Sequence, residues 1–162
     1  MAKKFPAKVI ICAKHQIDDH AQSGVTHILS IENPDRLKET PFWFKGVHKQ
    51  IRFNDTDFED GPDVVAPDAD QIREILEFGR EVASLSTGEP RAILIHCQAG
   101  VSRSPAAAYA IIAQYLGAGH ARDALEEIRK LRPVAIPNRL VVKLADEILE
   151  FRGELLEALQ TK

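Results

Sequence analysis

The 162-residue sequence is poor in several residue types, with only two cysteines, one methionine, one tryptophan and two tyrosines. Cys12 and Cys97, so far apart, do not form the framework of a disulfide-stapled secreted fold. A reducing compartment also suits a chain that must keep a thiolate free. No apolar run approaches the roughly 20 residues of a membrane-spanning helix. Val9 to Ala13 is followed at once by Lys14 and His15, which is too short for the core of a signal peptide. Cationic excess is missing as well. The formal net charge is −3 and the pI about 6.1, giving no electrostatic ground for nucleic acid or an anionic membrane as partner. Repeats, low-complexity tracts and linkers are absent too. What remains is a cytoplasmic chain read as one domain over residues 1–162, with 44% hydrophobic and 28% charged residues.

Short β-branched runs predict strands at Lys8 to Cys12, Thr26 to Ile31 and Val47 to Phe53. Ala92 to His96 is uninterruptedly apolar, the pattern of a central strand buried on both faces. The polar stretch from His15 to Gly24 predicts a short helix. Helical spacing recurs after Pro67 up to Gly88-Glu89-Pro90, from Ala106 to Leu116, and from Ala121 to Leu131. Pro137-Asn138 opens a last helical stretch to about residue 159, bent or broken near Gly153. This order predicts an α/β fold: a small, mostly parallel central sheet of four to five strands flanked by helices. Glu32 to Gly46 is a long irregular segment of the kind that shapes a site. Its Phe42, Trp43 and Phe44 either anchor the loop and core or wall a cleft against an aromatic ring.

The chemistry concentrates in His96-Cys97-Gln98-Ala99-Gly100-Val101-Ser102-Arg103-Ser104. A buried strand ends there, and a helix starts with Pro105 in its first turn. Backbone N–H groups of Gln98 through Ser102 and of the helix start would converge on one anion, where the helix dipole adds its attraction. Cys97 at the start of that nest should be a thiolate, because donors that bind phosphate also favour the ionised sulfur. Gly100 permits the tight loop. Arg103 offers a planar fork for two phosphate oxygens, which lysine cannot match.

The string His-Cys-x-x-Gly-x-x-Arg-Ser resembles the signature of the cysteine-based protein tyrosine and dual-specificity phosphatase superfamily. The likeness extends from about Val47 to Leu149 and is nearest to short bacterial proteins of the tyrosine phosphatase family. It implies attack by Cys97 on phosphorus, a phosphocysteine intermediate, Ser104 stabilising the departing thiolate, and His96 ordering the loop. It implies no metal and no other cofactor.

Such enzymes also carry an aspartic acid that protonates the leaving oxygen. Asp55, just after the third strand, matches that position best; Asp57 follows, with Asp60 and Asp63 behind, and a solvated acidic loop is the ordinary alternative. No Trp-Pro-Asp triplet is present, so the larger receptor-like tyrosine phosphatases match poorly. Asn138 resembles a polar residue that contacts the phosphate loop or places water, and it equally fits a helix N-cap.

Gln98, Ala99, Val101 and Ser102 bring no positive charge into the loop, which favours a substrate with one phosphate near the site, such as phosphotyrosine. The expected partner is a phosphorylated protein or a small phosphomonoester, with dual specificity open. Two rival readings stand beside it. One is a silent phosphate- or phosphopeptide-binding module; the other is a phosphatase of a small metabolite or phosphoinositide, for which Lys45, His48 and Lys49 would have to supply charge. Cys12 is expected to be a buried unpaired thiol. It could resolve an oxidised Cys97 only if the first strand lies beside the loop.

Overall fold

The computed structural model describes residues 3–58, 61–84 and 88–161. Four strands, β1 (Lys8–Ala13), β2 (His27–Glu32), β3 (Val47–Arg52) and β4 (Ala92–Cys97), form one sheet in the order β1-β4-β2-β3. Every neighbouring pair is parallel. β4 is inner and completely buried, as its unbroken apolar run predicts. The described residues form five α-helices, α1 (Ala69–Ser84), α2 (Arg103–Leu116), α3 (Ala121–Leu131), α4 (Arg139–Leu149) and α5 (Glu154–Leu159). No helix among the described residues is long and apolar enough to cross a membrane.

Strand alternation sorts the side chains into two clusters. Val9, Ile11, Leu29, Ile31, Ile51, Ile93, Ile95 and Cys97 face the layer built by the five helices. Ile10, Cys12, Ile28 and Leu94 face the other way, under Ile17 and Phe44. That second face is closed by a 3-10 turn, Lys14–His20, and by the segment after β2, not by α-helices. The aromatic trio divides accordingly. Phe44 is buried, Trp43 packs on the cluster and donates Nε1–H to Asp18 at 2.8 Å, and Phe42 stands in solvent. Loop anchoring is what the first two do.

α2 is the hub of the helical layer, and its residues 103–113 are all buried. Its alanines let neighbours approach closely. At Gly79 of α1 a Cβ would stand 2.7 Å from Ile111 Cγ2, so only glycine permits this α1–α2 contact. The final helical stretch breaks as expected, because Glu150, Arg152 and Gly153 all adopt positive φ. Buried Asp146 secures the break by accepting from the N–H groups of Gly153 at 2.6 Å and Leu155 at 2.8 Å.

Candidate active site

β4 delivers Cys97 to the carboxyl end of the sheet, and the chain then turns through 98–102 into α2. The sharpest constraint is Gly100, with φ 69°. A Cβ there would lie 2.6 Å from the Cys12 carbonyl carbon and 2.8 Å from Ala13 N, so the loop is packed directly on the end of β1. Lys14 N–H donates to the Gln98 carbonyl at 3.1 Å from the same side. Arg132 grips the outer edge of the loop, giving Nε–H to Gly100 O at 3.0 Å and Nη2–H to Ala99 O at 3.1 Å. Ile136 N–H reaches Val101 O at 2.7 Å, and Asn138 N–H reaches Ser102 O at 3.1 Å. These outward carbonyls are thus satisfied from outside, the arrangement a loop needs if its N–H groups are to face an anion.

Cys97 Sγ is buried and lies 3.1 Å from Ser104 Oγ. Arg103 is only 5% exposed, and its Nη1 donates at 2.8 Å to both Asn33 Oδ1 and the Phe53 carbonyl. One edge of the guanidinium is fixed by the residues that directly follow β2 and β3, while Nε has no partner among the described residues. No carboxylate pairs with this buried cation among the described residues. A buried charge so placed calls for an anion, and a forked guanidinium suits a phosphoryl group.

Asp55 stands across the loop, where its Oδ1 accepts from Ser102 Oγ at 2.7 Å and from Asn138 Nδ2 at 2.8 Å. Ser102 therefore caps no helix through its side chain; its hydroxyl binds Asp55. Asn138 is the N-cap of α4, its Oδ1 accepting from Val141 N–H, while its Nδ2 is turned to Asp55 and only its backbone N–H touches the loop. Asp57 is turned elsewhere, onto Arg139 N–H at 3.3 Å. Asp63 sits at φ 62° farther along the same segment, and Asp60 lies outside the described residues. The segment is pinned at its base by Asn54, whose N–H donates to Val65 O and whose Oδ1 accepts from Val65 N–H, each at 2.7 Å.

His96 points to the opposite face from Cys97. The Cys97 carbonyl can only accept, so His96 Nδ1–H donates to it at 3.2 Å and Nε2 must accept from Ser30 Oγ at 2.6 Å. Ser30 in turn accepts from His48 Nε2 at 2.8 Å, and His48 Nδ1 accepts from Thr40 Oγ1 at 2.7 Å. One chain of hydrogen bonds therefore runs beneath the sheet to the backbone of Cys97. His48 is absorbed in it and Lys49 pairs with Glu74 at 2.9 Å, so neither extends the charge of the loop.

Burial is the main cause that lowers His96 to about 4. In the unfolded chain it would titrate near the ordinary 6.5. Below that value the unfolded chain binds a proton that the folded chain refuses, so stability is lost as pH falls from about 6.5 towards 4 and is unaffected by this group above. The loss should reach about 2 kcal/mol by pH 5. His27 and His48, also lowered mainly by burial, act in the same direction. Urea unfolding at pH 7.5 and 5 measures the effect, and His96→Asn should flatten the slope. An equally steep slope in that variant would show that His96 is not its source.

Cys12 registers with His96, and Cys97 with Ala13. The first strand does lie beside the loop, but the two sulfurs leave the sheet on opposite faces. That direction is incompatible with the geometry of a disulfide. Burial pushes the Cys12 thiol up to about 12, so it stays a protonated core residue. Among the described residues no three His, Cys, Asp or Glu side chains converge as a metal-binding group.

Asn33, Ser30 and Arg132 are the site residues that sequence reasoning misses. The irregularity of 32–46 hints at Asn33, but nothing in the sequence singles out Ser30, and Arg132 merely follows the helix expected from Ala121 to Leu131.

Comparison with known proteins finds the same fold. DUSP15 superposes with a TM-score of 0.63 at 24% identity, covering 97% of this chain and 95% of its own. Human DUSP28 gives 0.63 at 18% identity, over 88% and 91%. PTPMT1, solved in complex with PI(5)P, gives 0.60 at 18% identity, over 96% of each chain. At these identities the likeness concerns the fold. No curated protein is similar enough in sequence to register as a relative. The sequence profile of the family described as "Dual specificity phosphatase, catalytic domain" matches residues 10–148, and the chain belongs to that family of cysteine-based phosphatases.

Proposed function

We propose that the protein is a phosphomonoester hydrolase acting on phosphotyrosine, with phosphoserine and phosphothreonine open to it, through a phosphocysteine on Cys97. The observation that carries this reading is Arg103: a buried guanidinium, tied along one edge, with its Nε unpaired among the described residues, at the end of the loop that Cys97 begins. Arg103 and the N–H groups of Gln98 to Ser102 hold the phosphoryl oxygens and stabilise the charge that spreads over them in the transition state. The Cys97 thiolate attacks phosphorus as the bond to the leaving oxygen breaks, and Asp55 gives its proton to that oxygen. Water then attacks the phosphocysteine, the Asp55 carboxylate takes the water proton, and inorganic phosphate and the thiolate are released. Ser104 hydroxyl, 3.1 Å from the sulfur, stabilises the thiolate as it leaves. The substrate preference rests on a loop without lysine.

The test is rapid quenching of the reaction with an aryl phosphate, followed by peptide mass analysis. One phosphoryl group on the Cys97 peptide, vanishing as substrate is exhausted, is expected. Turnover without that adduct would remove the proposal.

A further inference from the structure

Two segments flank the loop after Cys97 and are joined to each other. The described residues of 54–65, which are 54–58 and 61–65, reach it through Asp55 and Ser102, and 132–138 through Arg132, Ile136 and Asn138. Asn138 Nδ2 donates to Asp55 Oδ1 at 2.8 Å and to Thr56 O at 3.0 Å, closing the seam between the two. Of the eight large hydrophobic side chains exposed among the described residues, five lie on these two segments: Phe58, Val64, Val65, Val134 and Ile136. Phe58 is 75% and Ile136 72% exposed. Single exposed apolar residues mean little, but a group gathered on the rim of one site marks a surface that is covered in use.

Charge decides what covers it. Between Arg52 and Arg73 the sequence carries seven acids and no basic residue. Of the nearest cations, Arg132 is engaged with the loop carbonyls and Lys14 pairs with Glu32 at 3.2 Å; Arg139 is exposed at the seam. An anionic bilayer or a headgroup with several phosphates would meet a predominantly acidic wall, whereas a basic polypeptide would be drawn to it.

We infer that the two segments form a docking surface for the substrate's own chain: a protein whose phosphorylated residue is flanked by basic and bulky apolar side chains. This rests on the phosphatase reading above and names the substrate class within it. The phosphate enters the loop, neighbouring apolar side chains pack on Phe58 and Ile136, and basic ones face Asp57 and Asp63.

The experiment uses the full chain and three probes: an aryl phosphate, phosphotyrosine peptides with basic-apolar or acidic-polar flanks, and phosphatidylinositol 5-phosphate in neutral vesicles. The basic-apolar peptide should exceed the acidic-polar one in kcat/KM by about tenfold or more, with the ratio shrinking at high salt. Phe58→Ala, Ile136→Ala and Asp63→Asn should each lower the ratio of basic-apolar peptide to aryl phosphate kcat/KM, a readout in which any general loss of activity cancels. Failure to turn over even the aryl phosphate would remove the phosphatase reading itself. Turnover of aryl phosphate with no flank preference, or vesicles preferred to every peptide, would overturn the docking surface alone.

Discussion

Cys97→Ser is expected to abolish aryl phosphate hydrolysis, by on the order of 10⁴-fold or more, while inorganic phosphate still binds. A serine hydroxyl at this point is not ionised and needs a base to become a nucleophile. The side-chain oxygen in hydrogen-bond contact with the sulfur is Ser104 Oγ at 3.1 Å, which is no base. His96 is adjacent in sequence, yet it cannot help. It leaves the sheet on the far face, its Nδ1–H is committed to the Cys97 carbonyl, and its Nε2 accepts from Ser30. A serine–histidine pair is thus excluded by strand alternation alone. Binding is a separate matter, since Arg103 and the loop N–H groups survive the substitution. Arg103→Lys should show the converse, losing phosphate affinity because a point charge cannot hold Asn33 and the Phe53 carbonyl while also gripping two phosphate oxygens. Steady-state rates and phosphate titration of the two variants separate the roles. Hydrolysis by Cys97→Ser within tenfold of the natural protein would contradict the nucleophile assignment.

The different legibility of these residues has a physical cause. Cys97, Gly100, Arg103 and Ser104 lie within one strand–loop–helix unit, so their relative placement follows from local backbone geometry, and a reader of the sequence can see it. The same holds for the four strands, whose β-branched runs set their faces, and for the α4–α5 break at Gly153. Asn33, Ser30 and Arg132 become visible only through the strand order. β2 is inserted between β4 and β3, which carries Asn33 beside Arg103 across 70 residues of chain and Ser30 beside His96 across 66. Arg132 meets the loop only because α3 returns its carboxyl end to that edge of the sheet. Cys12 teaches the complementary lesson: neighbouring strands were foreseeable as a condition for a disulfide, but the register that opposes the two sulfurs was not. The helices' choice of a single face was equally hidden, since a periodic pattern fixes which side of a helix is apolar and not which side of the sheet it covers.

Asp55→Asn is expected to cost about 10²- to 10⁴-fold with phosphotyrosine or an alkyl phosphate, and much less with an activated aryl phosphate whose leaving oxygen is stable without a proton. Both hydrogen bonds to this carboxyl fall on Oδ1, from Ser102 Oγ and Asn138 Nδ2, so Oδ2 has no partner among the described residues and is available to carry the proton. Asparagine keeps the shape and can still accept on its oxygen, which makes the loss chemical and not structural. Asp57→Asn is the comparison. That carboxylate is turned onto Arg139 N–H at the start of α4, so its removal should alter helix stability slightly and leave the dependence on leaving group intact. The measurement is kcat/KM across a series of aryl phosphates of increasing leaving-group basicity. A steeper dependence in Asp55→Asn alone identifies Asp55 as the acid. The same steepening in Asp57→Asn, with Asp55→Asn unchanged, would transfer the role to Asp57.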